Sequence, residues 1–156
     1  MQNPDEAVNM LFSIIRAFDA LGRYLRIELE KDNINPIQFA IMNALYVHGG
    51  RMTPTDISKW VFRSKHTITS DIYTLKKAGY VRREAGKDYR SAWIVITQKG
   101  QEKTNEIMPH VQELSWRALS CFDEERRNTF MSLQRQLRKH LDEQIVNLQT
   151  TRAQGG

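Results

Sequence analysis

A single cysteine, Cys121, stands among 156 residues and leaves no partner for an internal disulfide. No apolar run approaches the roughly 18 residues that span a bilayer. The opening Met-Gln-Asn-Pro-Asp-Glu lacks the basic and apolar regions of a secretion signal. The histidines His48, His66, His110 and His140 are scattered, with no pair at metal-ligand spacing, so they read as surface or capping residues and no metal is expected. A nucleophile–base pair and a glycine-rich phosphate loop are missing as well, and the acidic residues are spread as solvated helix charges. An enzyme has nothing to stand on, and no cofactor is expected. Internal repeats are absent, and only the tail Thr150–Gly156 looks frayed. The expectation is a soluble, cytoplasmic protein of one-domain size without a membrane partner. Cys121 lies beside Phe122 between two helix patterns, with Arg117 its one basic neighbour at four-residue spacing, and reads as a buried structural thiol.

What is present is concentrated charge. From Arg51 to Arg90 ten cations face four anions, a net +6, whereas the whole chain nets +5, so everything outside this stretch nets −1. Charge focused in one segment of an otherwise balanced chain is the footprint of a polyanion partner.

The hydrophobic periods give that segment a shape. Val8, Leu11, Phe12, Ile15, Phe18, Leu21, Leu25 and Leu29 recur at three- and four-residue steps, predicting one long helix over 5–31. Asn35 and Pro36 open a second helix, which Gly49-Gly50 stops. Thr53-Pro54-Thr55-Asp56 opens a short third helix with Ile57, Trp60 and Val61 apolar. Ser64 caps a fourth, in which Ile68, Ile72 and Leu75 form the buried stripe and Ala78-Gly79 the end. Two short helices joined by a tight break make a helix-turn-helix. After Gly79 the period changes: Tyr80–Ala85 and Ala92–Thr97 read as a hairpin whose tip is Gly86–Ser91. Thr97 caps a fifth helix to about Ser120, with Pro109 as a kink, and Asp123 opens a sixth to about Gln149. On the sixth, Phe130, Leu133, Leu137, Leu141, Ile145 and Leu148 form a narrow seam that a lone chain of this size has no means to bury.

With its stripe turned inward, the fourth helix presents Lys65, His66, Thr67, Thr69, Ser70 and Tyr73 outward. Hydrogen-bonding side chains at the N-terminal end of such a helix are what major-groove reading requires. Lys65 can donate to guanine O6 and N7, Thr67 and Thr69 offer methyls and hydroxyls, and Tyr73 reaches toward phosphate.

The order of elements, with Ile34-Asn35-Pro36-Ile37-Gln38-Phe39, Thr53-Pro54-Thr55-Asp56-Ile57, Leu75-Lys76-Lys77-Ala78-Gly79-Tyr80-Val81, Asp88-x-Arg90 and Ile96-Thr97-x-Lys99-Gly100, resembles the MarR family of transcription regulators. No one of these motifs is specific, but their order and spacing together are, across almost the whole chain. The resemblance implies a mainly α fold with a small β-hairpin wing, a winged helix-turn-helix lobe at 35–100 flanked by dimerisation helices at 1–34 and 101–149. It implies a homodimer that places the helix at about 64–78 in the major groove and the wing at 82–92 in the minor groove of a pseudo-palindromic double-stranded operator. Many members are repressors released from DNA by a small ligand. The family's wing arginine corresponds to Arg90, with Asp88 to orient it and Arg82, Arg83 and Lys87 as groove or phosphate neighbours. An inserted arginine suits the negative potential of a narrow minor groove.

Three departures stand out: Phe62 where the turn often holds glycine, Ser70 where arginine is common, and a slightly short wing loop. Asp71 beside Ser70 adds negative charge near phosphates on this reading. Phe12, Phe39, Tyr46, Trp60 and Trp116 are candidates to line a pocket for a small aromatic effector, although aromatics on helical stripes are more often core. The other class of function these departures leave open is a winged-helix module that binds a protein or senses a small molecule with little DNA affinity.

Overall fold

The computed structural model describes residues 4–61, 63–86 and 92–154. The chain divides into two compact units, Met1–Leu114 and Ser115–Gly156. Among the described residues no helix is long and apolar enough to cross a membrane.

In the first unit, α1 (Pro4–Leu29) runs into a 3₁₀ turn (Glu30–Asp32) that Asn33 ends in the left-handed conformation. The helix α2 (Pro36–Val47) begins at a reciprocal cap: the Asn35 side chain accepts from the Gln38 backbone N–H, and the Gln38 side chain accepts from the Asn35 backbone N–H. Gly49 and Gly50, both at positive φ, turn the chain after α2. There follow β1 (Arg51–Met52), α3 (Pro54–Trp60), α4 (Lys65–Lys77), β2 (Val81–Ala85), β3 (Ala92–Ile96) and α5 (Gln98–Leu119).

The sheet is antiparallel in the order β1-β3-β2, with Arg51 opposite Val95 and Val81 opposite Ile96. The sequence predicted only the hairpin. The third strand is too short for an alternating pattern to be seen, and its first residue, Arg51, registers as charge. It pairs because the left-handed glycines deliver the chain to the open edge of β3, where the Gly50 carbonyl accepts from Ile96 N–H at 2.8 Å.

One core joins these elements. Ile41, Met42 and Leu45 of α2, Ile57 of α3, Ile68 and Leu75 of α4, Val81, Ile94 and Ile96 of the sheet, and Ile107 and Leu114 of α5 are all buried together. Leu29 of α1 joins them, with Leu25 partly buried, while Val8, Leu11, Phe12, Ile15, Phe18 and Leu21 remain exposed. The stripe predicted along α1 is therefore packed at one end and bare along the rest.

The second unit holds the end of α5 and α6 (Glu124–Gln154). Asp123 caps α6 by accepting from Arg126 N–H at 2.8 Å. Phe122 stacks on Phe130, with ring centres 5.7 Å apart. The predicted seam from Phe130 to Leu148 is exposed throughout. Where a frayed tail was expected from Thr150, the helix continues to Gln154, and the Thr150 and Thr151 hydroxyls donate to the carbonyls of Val146 and Asn147.

Candidate nucleic-acid interface

The pair α3 and α4 is built from its caps. Thr53 Oγ1 accepts from Asp56 N–H, and Ser64 Oγ accepts from Thr67 N–H, both at 3.2 Å. Ile57 and Ile68, one on each helix and each wholly buried, fix the two against α2. The end of α3 closes through Val61 N–H to Ile57 O and Arg63 N–H to Ser58 O. Phe62, the departure within the turn, lies outside the described residues.

On α4 the expected division into faces is present. Ile68 and Leu75 are buried and Ile72 is half-buried, whereas Lys65, His66, Thr67, Thr69, Ser70 and Tyr73 are all exposed. The hydroxyls have local partners. Thr69 Oγ1 donates to Lys65 O at 2.7 Å, Ser70 Oγ to Thr67 O at 3.4 Å, and Thr67 Oγ1 lies 2.8 Å from Ser64 Oγ. The back-bonding of Thr69 and Ser70 spends their hydroxyl protons on the helix and leaves lone pairs and the Thr69 methyl facing out. The projecting donors are the Lys65 ammonium, the His66 ring and the Tyr73 hydroxyl.

The Asp71 carboxylate is not aimed outward from that face. Its Oδ1 accepts from Asn35 Nδ2 at 2.8 Å and from Gln38 Nε2 at 3.1 Å, so the carboxylate turns away from the reading surface toward the start of α2. A sequence scan sees Asp71 as a neighbour of Ser70; only the packing of α4 on α2 reveals the partners 36 and 33 residues away.

Beside α4, β2 carries Arg82 and Arg83 into solvent. Together with Lys76 and Tyr73 they line a groove of about 260 Å³ between α4 and the sheet, floored by Ile72, Val81 and Ile94. Arg82 pairs with Glu84 at 2.7 Å across an exposed surface, an attraction weak enough in water to yield to a phosphate. At the far end of α4, Lys99 donates to Ala78 O at 2.8 Å and lies over the Tyr80 ring at 5.1 Å. A cation there complements the helix dipole, a role the motif around Lys99 did not reveal. Arg51 is held over the Trp93 ring at 4.6 Å. The wing-tip candidates Lys87, Asp88 and Arg90 lie outside the described residues.

The aromatic candidates occupy different settings. Phe39 is core, Trp60 packs edge-on against His48, and Phe12 and Tyr46 are exposed on α1 and α2. In the second unit Trp116 is 65 % exposed beneath the Arg127 guanidinium. Cys121 is exposed rather than buried: it falls in the turn after α5, where no apolar layer covers it within its unit. His110 is half-buried, its Nδ1 2.7 Å from Asp32 Oδ2, a pairing of α5 with the 3₁₀ turn that no local spacing announces.

Known proteins supply an independent comparison. Residues 32–91 match the model of the MarR family. An uncharacterised HTH-type transcriptional regulator, YkoM of Bacillus subtilis, is 28 % identical over 106 residues, covering 67 % of this chain and 68 % of YkoM. Among solved structures, the MarR family regulator Sco3205 of Streptomyces coelicolor, in complex with DNA, has a TM-score of 0.82 at 20 % identity, covering 90 % of this chain and 91 % of that one. BpsR of Bordetella bronchiseptica, whose DNA binding is described as regulated by 6-hydroxynicotinic acid, has a TM-score of 0.76 at 17 % identity, covering 83 % of this chain and 98 % of that one.

Proposed function

We propose that this chain is a DNA-binding transcription regulator that acts as a homodimeric, ligand-responsive repressor in the cytoplasm, a reading supported by the match of residues 32–91 to the MarR family model and by the MarR-like fold. The observation that carries the reading is the exposed N-terminal face of α4, from Lys65 to Tyr73, standing beside the Arg82 and Arg83 cations of β2. In this reading Lys65, His66, Thr67, Thr69, Ser70 and Tyr73 meet the major groove, while Arg82, Lys87, Asp88 and Arg90 belong to the wing that follows the flanking minor groove. Dimerisation is supported by the bare apolar faces of α1 and α6, both too large to leave in water without purpose. A two-fold dimer reads a pseudo-palindrome with half-sites about 34 Å apart. The effector is a small aromatic molecule, by analogy with the regulation described for BpsR, and Phe12, Phe39, Tyr46 and Trp60 of the first unit are the candidate lining.

Equilibrium titration of a selected duplex across a salt series tests the core of this. Each neutralised phosphate contributes about −0.9 to the slope of log K against log salt. Lys76→Ala is expected to make the slope shallower by roughly one such contact. Lys65→Ala is expected to relax discrimination at one base pair by roughly 1–3 kcal/mol, and Arg90→Ala to weaken binding. A shallow salt slope for the parent protein, with all three variants unchanged, would instead favour the winged-helix interaction module.

A further inference from the structure

We propose that Asp71 is a positioning residue for base reading: its carboxylate fixes the rotation of α4 about its own axis by gripping the start of α2. The proposal rests on the DNA-binding role. The apolar contacts that hold α4, Ile68 and Leu75 buried and Ile72 half-buried, fix it to the core but carry no hydrogen-bond direction of their own. The two hydrogen bonds to Asp71 are directional, at 2.8 and 3.1 Å, and both come from one rigid corner.

That corner is pre-set by the cap of α2. The side-chain oxygens of Asn35 and Gln38 are occupied by each other's backbone N–H groups, at 2.8 and 3.2 Å. Their NH₂ groups are thereby turned outward, and both meet the same Asp71 oxygen. An ionised carboxylate is an acceptor only, so it serves two donors without a mismatched hydrogen, and its charge strengthens both bonds. The first turn of α2 contains no acidic residue of its own, so Asp71 also supplies the negative charge that a helix N-terminus favours.

Asp71 immediately follows Ser70 and precedes Tyr73 by two positions, so it lies in sequence between residues of the reading face while its own carboxylate turns toward α2. Side-chain tips lie about 5–6 Å from a helix axis, so a 10° rotation moves them by about 1 Å, enough to break a bidentate base contact. An acidic residue that merely stood near phosphates would act with the opposite sign, because its removal would tighten binding to any duplex.

The test uses the full chain, a duplex selected by the parent protein from a random-sequence pool, and a shuffled duplex of the same composition. Asp71→Ala is expected to lower the selected-to-shuffled affinity ratio roughly tenfold, with binding to the shuffled duplex unchanged or tighter. Asp71→Asn, which keeps an acceptor of the same shape, should recover most of the ratio. Gln38→Glu retains the capping acceptor but sets a carboxylate against Asp71, and should lower the ratio as Asp71→Ala does. Loss of folded protein would scale both affinities together and leave the ratio fixed. An unchanged ratio in Asp71→Ala, or in Gln38→Glu should the first variant fail to fold, overturns the proposal. A parent protein that prefers neither duplex overturns the DNA reading and the proposal with it.

Discussion

Gly100 is the position where one added methyl group should do most damage. It lies two residues inside α5, directly against the residue that precedes β2. A Cβ built there would fall inside the carbonyl oxygen of Tyr80 and 2.8 Å from the side chain of Ile96. Neither neighbour is able to give way cheaply. Tyr80 O accepts from Thr97 N–H at 3.0 Å and from Thr97 Oγ1 at 3.1 Å, while Thr97 Oγ1 also accepts from Gly100 N–H at 3.1 Å. Ile96 is core, and the Gly100 carbonyl holds the buried Thr104 hydroxyl at 2.8 Å. Forced overpacking costs about 1–3 kcal/mol, and breaking one or two of these hydrogen bonds costs about 1 kcal/mol each. Against that, alanine gains about 1 kcal/mol over glycine in a helix interior. Gly100→Ala is therefore expected to lose about 1–4 kcal/mol, a fall in melting temperature of roughly 3–12 °C for a chain of this size. Thermal and urea unfolding followed by circular dichroism measure it. A variant that melts at or above the parent temperature would show helix propensity winning, and would refute the close approach of α5 to Tyr80.

Two further outcomes are expected. Ser64→Ala removes the acceptor of Thr67 N–H at the head of α4 and should cost about 1 kcal/mol of stability, read from the urea midpoint at unchanged m-value. Leu137→Glu with Leu141→Glu places two charges on the bare seam of α6 and should convert a dimer to monomer in light scattering. An unaltered mass would remove α6 from the proposed interface.

What could be read from the sequence was whatever is encoded within a few residues. The caps at Asn35, Thr53, Ser64 and Thr97 all rest on a side chain meeting a backbone N–H three positions on, and each is found where its residue pattern placed it. The outward face of α4 was legible for the same reason, because 3.6-residue periodicity separates Lys65, Thr69 and Tyr73 from Ile68 and Leu75 without reference to the rest of the chain. The strand Arg51–Met52 was not, since two residues carry no period and its pairing partner lies over 40 positions away. Cys121 is misread from the sequence because the lack of a basic neighbour beyond Arg117 points to an unreactive, buried thiol, whereas the turn after α5 leaves it exposed.

Asp71 marks the sharpest limit of local reading, and it alters what the interface means. From its neighbours alone it counts as an anion set among candidate DNA contacts, a feature that weakens the case for binding. Its bonds to Asn35 and Gln38 turn the same charge into an anchor that faces away from the groove. The cap of α2 and the reading face of α4 are then one mechanical unit: the residues that start one helix also orient the other. An interface judged by summing charge along the chain misses this, because the sum treats an inward carboxylate and an outward one alike. Asp71 keeps its charge, but its carboxylate is aimed at the start of α2 while Lys65, Lys76 and Lys77 are exposed on α4.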